Sequence, residues 1–482
     1  MKPMVLSELL ANSPAELAAT PITGITADSR RVTPGCAFLC LRGSRSDGHA
    51  YARAAEESGA AVIVAEEDTG CSRQVLVKDT HAAFAQMSAN WFGRPAEKLR
   101  LIGVTGTNGK TSVTFMIKQI LEHCGHTVGL IGTIQNMIRD QIIPSDHTTP
   151  DCYELNALFS KMVEAGCEFA VMEVSSHALD QKRVYGLDFE VAIFTNLTQD
   201  HLDYHKTMEN YLAAKKRLFS MCRSAVINTD DPYADQIREG LSCPVYTVSL
   251  INRADYQARE IAYEPGGVSY RLAGRQNGTV HTAIGGKFTV YNTLSALAAA
   301  DVCHIPIDEA IRAVGEMTGV KGRAQVVPGT GDFSVILDYA HTPDGLQNIL
   351  SAFRECTKNR LIVVFGCGGD RDKTKRPKMG EIAARLADFV VVTSDNPRSE
   401  EPAAIIRDIL AGVQPQKTPY TVIENRKEAI EYALSHAEPG DVVILAGKGH
   451  ETYQIFADRT IHFDENEIVA EFFKKQNGGL KK

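Results

Sequence analysis

Val104-Thr105-Gly106-Thr107-Asn108-Gly109-Lys110-Thr111 is the stretch on which the reading of this chain turns. Ahead of it, Leu101-Ile102-Gly103 is a short apolar run that reads as a strand. Behind it, from Ser112 to Cys124, Val113, Met116, Ile117, Ile120 and Leu121 fall at helical spacing. A glycine-rich turn between strand and helix makes an anion cradle. Gly106 and Gly109 let the backbone approach a phosphate and adopt positive φ. The first N–H groups of the helix and its dipole point at the anion. Lys110 supplies a mobile cation for the β- and γ-phosphates, and Thr111 a hydroxyl for Mg²⁺. The generic pattern has a glycine where this chain has Val104, so an ordinary glycine-rich βα turn stays open as the alternative to nucleotide binding.

Working outward, 482 residues exceed what one core can organise and suggest about three domains. An apolar fraction of 44% and a charged fraction of 23% are those of a globular protein. The net charge of −8, without a basic run, argues against a nucleic-acid partner held through phosphates. Eleven cysteines with no CxxC pair give neither a metal nor a disulfide framework, so reduced, mostly buried thiols are expected. No convincing signal peptide and no run of transmembrane length are seen, so a cytoplasmic protein without membrane contact is expected.

The expected organisation is three α/β units, at 1–98, 99–326 and 327–482. In the first, Cys36 to Leu41 and Ala60 to Val64 read as strands. The donor-rich loops Asp28-Ser29-Arg30-Arg31 and Arg42 to His49, which includes Ser44, Arg45 and Ser46, could hold a polar ligand; composition favours solvated turns. In the second, Thr127–Ile131, Glu168–Val174, Val191–Asn196 and Ala225–Asn228 are apolar without alternation, as in a parallel sheet covered on both faces. Helices are expected at 152–165 and 208–222. This is a doubly wound, mostly parallel sheet, whose ligands belong at the carboxyl ends of its strands. Glu173 ends one strand and suits Mg²⁺. His201 lies in a His/Asp-rich loop that is equally a metal site or a capping loop. Thr149 or Asp151 is expected to cap the next helix. Ala214 to Arg217 reads, by charge, as a solvated basic face. Residues 229–286 turn strand-like and loop-rich, and a helix covers 295–302. In the third unit, four strands end in polar loops: Asp338-Tyr339-Ala340-His341, Gly366 to Asp372, Ser394 to Arg398, and Ala446 to Glu451. They suggest a second ligand-facing edge on a Rossmann-like domain.

Gly106 to Thr111, Glu173-Val174-Ser175-Ser176, Asn196 to Asp203, Ala214-Lys215 and Asp338 to His341 together resemble the Mur ligases of peptidoglycan synthesis, over nearly the whole chain. The valine at 104 is usual for that family's phosphate loop. Gly366 to Asp372 and Gly447 to Glu451 resemble the members that add the third stem-peptide residue to UDP-N-acetylmuramoyl-L-alanyl-D-glutamate. Asp395-Asn396-Pro397-Arg398 has the form found where that residue is meso-diaminopimelate. A physical reason agrees: diaminopimelate carries a distal carboxylate that lysine lacks, and an arginine fork can grip it. Without the family, Arg398 could as well be a turn arginine bonding local carbonyls.

The resemblance implies a monomeric, ADP-forming ligase acting on small molecules, with ATP as co-substrate and two Mg²⁺ ions. ATP would be held by Gly106, Thr107, Asn108, Gly109, Lys110, Thr111 and Ser112, and by Asn292, Arg323, Asp338 and His341 from the domain junctions. The metals would lie at Thr111 and Glu173, and at His201 and Lys215, the lysine being carbamylated by CO₂. Lys110, His201 and Lys215 would be catalytic. Asp28, Ser29, Arg30, Ser44, Arg45 and Ser46 would hold the UDP end, and Thr148, Thr149, Ser175, Gln181 and Arg183 the muramoyl-dipeptide. Arg371, Asp395, Asn396, Pro397, Arg398, Gly447 and Glu451 would bind diaminopimelate. Gln325 departs from the family, which commonly has glutamate there. The competing readings are the same reaction with L-lysine, a ligase of the MurF or folylpolyglutamate synthase type, and a phosphate-loop switch or motor ATPase.

Overall fold

The structure is a computed structural model, describing residues 2–43, 46–145, 147–264, 267–317, 319–354 and 357–479. Its three larger sheets follow one another along the chain. Ile25–Thr26, Ala37–Leu39, Val62–Ala65 and Gln74–Leu76 form a parallel four-stranded sheet in sequence order. The helix Thr80–Trp91, capped by Asp79, covers one face through Phe84, Met87 and Trp91.

The second sheet has eleven strands. Its parallel heart runs Val128–Ile131, Phe169–Glu173, Arg100–Thr105, Phe189–Phe194, Cys222–Asn228, Val245–Ser249. Valine and isoleucine fill both faces, which is why these runs do not alternate. The helices Lys110–His123 and Lys287–Val302 cover one face, and Cys152–Glu164 the other. The strand before the phosphate loop is central, with Glu173 in register with Val104 and Phe194 with Thr105. That register delivers Glu173 and Thr195-Asn196 to the loop. Val104 itself is the penultimate residue of this strand and fully buried, so its side chain packs in the core.

Two expectations are corrected here. The helix from Met208 stops at Lys216, a 3₁₀ turn spans Arg217–Ser220, and Cys222 already pairs with Phe189. Strand pairing wins over helix propensity at that point. The alanine-rich helix starts at Lys287, eight residues early, so Asn292 lies inside it. Of the two expected cap candidates, Asp151 is the one that caps Cys152–Glu164, accepting from the Glu154 N–H at 2.9 Å. The strand-like 229–286 region continues the same sheet as a meander, Tyr256–Glu264, Gly267–Gly274 and Gly278–Thr282.

The third sheet has six strands, ordered Gln325–Val326, Ser334–Asp338, Val442–Ala446, Leu361–Phe365, Phe389–Val392, Tyr420–Val422, all parallel but the first. Helices on both faces make it Rossmann-like. The ten described cysteines are all free, most of them buried. Among the described residues, no helix is long and apolar enough to cross a membrane.

Candidate functional site

The phosphate loop is held from below by the next strand's end. The Thr107 N–H donates to the Asn196 carbonyl and the Asn108 N–H to Asn196 Oδ1, both at 2.9 Å. Thr195 Oγ1 donates to the Asn108 carbonyl at 2.6 Å. Gly106 has φ +149° and Gly109 φ +87°. A Cβ on Gly106 would lie 1.9 Å from Thr195 Oγ1, and one on Gly109 2.7 Å from Asn292 Oδ1. Asn292 thus abuts the loop. Gly106→Ala should dislodge this wall and weaken ATP binding by about tenfold or more, since a fixed amide cradle carries the phosphate affinity. Titration with a fluorescent ATP analogue checks this; unchanged affinity refutes it. Ser112 stands half-buried in the first helical turn. Lys110 Nζ closes the loop, donating to the Gly106 and Thr107 carbonyls at 3.0 and 2.8 Å.

Beneath the loop, Thr111 Oγ1 donates to Glu173 Oε1 at 3.0 Å. Glu173 is buried and accepts also from the N–H and Oγ1 of Thr133. A buried carboxylate beside a hydroxyl is a hard-oxygen donor set that fits Mg²⁺. Lys215 is 1% exposed, which overturns the solvated-face reading of 214–217. One helical turn places it with Tyr211 on the inward face, while Lys216 and Arg217 turn outward. Its Nζ donates to the Gly106 carbonyl at 2.8 Å, the same oxygen that Lys110 uses, and lies 4.5 Å from the Tyr211 ring. Burial, and next the Lys110 charge, push its amine well below the ordinary lysine value. His201 sits at the rim in left-handed backbone (φ +54°), 3.4 Å from Asp200 and edge-on to His177. The one group of His, Cys, Asp or Glu at metal spacing among the described residues lies elsewhere, at Asp47, His49 and Glu67. There His49 already uses both ring nitrogens, on Asp47 and on the Glu66 N–H.

Thr148, Thr149, Ser175, Gln181 and Arg183 come together beside Glu173. Thr133 Oγ1 donates to Thr148 Oγ1 at 3.1 Å; Thr149 Oγ1 donates to the Glu173 carbonyl at 2.9 Å. Arg183 donates to the Thr149 carbonyl at 2.8 Å and grips Gln181 Oε1 with two nitrogens. Ser175 caps the short helix that follows. A separate cleft of about 460 Å³ lies between the first sheet and the start of the helix Cys152–Glu164, lined by Thr26, Asp28, Arg31, Asp151 and Tyr153 among others. Asp28 accepts both Nε and Nη2 of Arg30, and those bonds hold its carboxyl at about 2. Ser29 lies in the same turn, while Ser46 is exposed with its carbonyl on the Gly43 N–H. Ser44 and Arg45 lie outside the described residues.

The third domain reaches the phosphate loop. Asp344 accepts from Asn108 Nδ2 at 2.6 Å and from Thr198 Oγ1 at 2.8 Å. Arg323 Nη2 lies 3.4 Å from Thr111 Oγ1, its guanidinium over the Tyr339 ring. Asp338 accepts from the Ala324 and Ala340 N–H groups, bracing this junction, and His341 is exposed beside it. Gln325 joins the junction to the last helix, accepting from the Gly322 N–H and donating to Asn466.

The amino-acid loops form one edge. Arg398 is half-buried, with Nη1 donating to the Gly369 carbonyl at 2.9 Å, the turn-arginine arrangement. Arg371 is exposed, bonded to the Asp370 carbonyl. The Pro397 carbonyl packs on Gly369, where a Cβ would lie 1.8 Å away. Asp395 is buried against Gly447. Glu451 Oε2 accepts from Asn396 Nδ2 and from Lys448 Nζ, both at 2.9 Å. Lys448, fully buried, also donates to Asn396 Oδ1 and so fixes that amide's orientation. Sequence reasoning missed Lys448, Asn196 and Asp344. Lys448 and Asn196 stood inside quoted motifs; Asp344 had no signal.

Three family models match the chain in order: "Mur ligase family, catalytic domain" over 21–91, "Mur ligase middle domain" over 104–300, and "Mur ligase, glutamate ligase domain" over 322–449. The chain is 48% identical over 476 residues to a protein of Caldanaerobacter subterraneus subsp. tengcongensis named UDP-N-acetylmuramoyl-L-alanyl-D-glutamate–2,6-diaminopimelate ligase, covering 97% of this chain and 98% of that one. It is 46% identical to a Clostridium perfringens protein of the same name, covering 98% and 100%. A solved structure of a protein with that name superposes with a TM-score of 0.73 at 33% identity, over 98% of this chain and 99% of the other. With relatives this similar over essentially its whole length, the chain belongs to the Mur ligase family.

Proposed function

We propose that this chain joins meso-2,6-diaminopimelate to the D-glutamate γ-carboxylate of UDP-N-acetylmuramoyl-L-alanyl-D-glutamate at the expense of ATP, in cytoplasmic peptidoglycan precursor synthesis. The observation that carries this reading is the bond from Asn108 to Asp344 at 2.6 Å, which joins the phosphate loop to the third domain, whose strand-end loops bear paired charges. A switch or motor ATPase leaves those loops without use.

The γ-carboxylate, anchored near Thr149 and Arg183, attacks the γ-phosphorus of ATP held on the phosphate loop. ADP leaves, and the acyl-phosphate is a far better acyl donor than the carboxylate. Lys110 follows the phosphate charge, released from the loop carbonyls it bonds. Mg²⁺ at Thr111 and Glu173, with a second ion at His201 and carbamylated Lys215, would screen the phosphate charges and polarise the γ-phosphoryl group. Carbamylation joins the neutral Lys215 amine nitrogen to the carbon of CO₂ and releases one proton. The amine must be neutral for this, and its burial favours that form. The deprotonated amine at the L-centre of diaminopimelate then attacks the acyl carbon, and phosphate leaves as the amide forms. Arg323 and Asp344 draw the domains over the reacting atoms and exclude water.

The experiment is direct. Protein, ATP, Mg²⁺ and UDP-muramoyl-dipeptide are mixed with either meso-diaminopimelate or L-lysine, and the products weighed. The diaminopimelate tripeptide is expected. The bond from Arg398 to Gly369 gives the lysine reading its one support, and a lysine product would establish it. Phosphate release indifferent to both added substrates would point instead to an ATPase.

A further inference from the structure

Two arginines under the amino-acid loops are almost wholly buried, Arg376 and Arg426. Neither belongs to a motif, and neither is needed by the mechanism above. Arg376 donates to Glu400 through both terminal nitrogens (2.8 and 3.1 Å), to Asp408 at 2.8 Å and to the Gly368 carbonyl at 3.3 Å. Glu400 in turn accepts the Asp370 N–H at 2.7 Å. The loop bearing Arg371 is thus tied to the loop bearing Arg398. Arg426 donates to Glu465 at 2.8 Å, to the Ala446 carbonyl at 2.8 Å and to the Ser394 carbonyl at 3.4 Å; Asp395 lies 4.0 Å away. This ties the Asp395 loop to the loop carrying Gly447 and Glu451, and both to the start of the last helix.

Burying a guanidinium is costly, and packed apolar residues often serve stability better. What an apolar residue cannot do is bond two strand ends and a carboxylate at once. The planar fork of arginine does so in one fixed geometry, which lysine cannot copy.

We propose that Arg376 and Arg426 are positioning residues that fix the span between the Arg371–Arg398 end of the pocket and its Gly447–Glu451 end, and that this span selects an amino acid charged at both ends. The proposal rests on the ligase reading above. Its test uses the full-length enzyme carrying Arg426→Lys or Arg376→Lys, with KM measured separately for diaminopimelate and ATP, alongside thermal unfolding. A displacement of about one ångström in a loop can cost one to two orders of magnitude, so the KM for diaminopimelate should rise about tenfold or more. The KM for ATP should stay within about twofold, and preference for diaminopimelate over L-lysine should fall.

Should a lysine variant not fold, Glu465→Gln and Asp408→Asn loosen one partner of each arginine and should shift the same KM in the same direction. Lower unfolding temperature with an unchanged KM, or equal rises in both KM values, would reduce the pair to ordinary scaffold and overturn the proposal. Wild-type enzyme that makes no diaminopimelate product would instead overturn the ligase reading, and this proposal with it.

Discussion

The Lys215→Ala enzyme should lose kcat by about 10²- to 10³-fold, the range seen when one group stabilising transition-state charge is removed. It should remain folded, because alanine is a good helix former. Short carboxylates such as acetate should restore part of the rate by occupying the truncated space. Full activity, or loss that no carboxylate rescues, would contradict a carbamate at this position.

A second readout needs no turnover. With its amine held well below the ordinary lysine value by burial, Lys215 takes up its proton less readily in the fold than in the unfolded chain. The unfolded state then binds the extra proton, so this residue costs stability at neutral pH, and the cost fades as pH rises towards 10.5. Lys215→Met should therefore raise the unfolding temperature in bicarbonate-free buffer, most at neutral pH and less by pH 10. An advantage that grows with pH would refute a lowered amine at this position.

Arg398→Ala should raise the KM for diaminopimelate at least about tenfold, as a hydrogen bond to a charged group contributes about 1.5–3 kcal/mol. kcat should change little, since the reacting amine is at the other end of the substrate. Because Arg398 also bonds the Gly369 carbonyl, part of the loss could come through that loop. Arg398→Lys separates the causes. It keeps the charge but not the fork, so it should recover little if the fork grips a carboxylate and most of the affinity if charge alone suffices. An unchanged KM in the alanine variant would leave Arg398 as a turn residue.

Much of the fold was legible because parallel strands covered on both faces are written as short, unbroken apolar runs. Arg100–Thr105, Phe169–Glu173 and Leu361–Phe365 each stand out in that way. Their ends carry the polar residues, so the sheet edge could be located without coordinates. Lys215 was misread by charge because its burial is settled by Tyr211 one turn back and by the Gly106 carbonyl 109 residues away. Composition does not register such partners. Lys448, Arg376 and Arg426 were illegible for the same reason: each stands in a polar or charged stretch that reads as solvated, and partners that bury it lie far along the chain. Arg426 meets Glu465 at a separation of 39 residues. The overlong helix at Met208 failed where strand pairing with Phe189 claimed Cys222.

Gly322 and Arg323 are neighbours in the chain and face different ways. A Cβ on Gly322 would lie 2.1 Å from the backbone nitrogen of His450, inside the loop that carries Glu451. Arg323 meets the hydroxyl of Thr111 at the nucleotide end. One peptide unit therefore touches both the loop proposed to hold the amine and the loop proposed to hold the nucleotide. On that proposal a rotation of the unit would be felt in both rooms at once, so that filling one would be mechanically audible in the other.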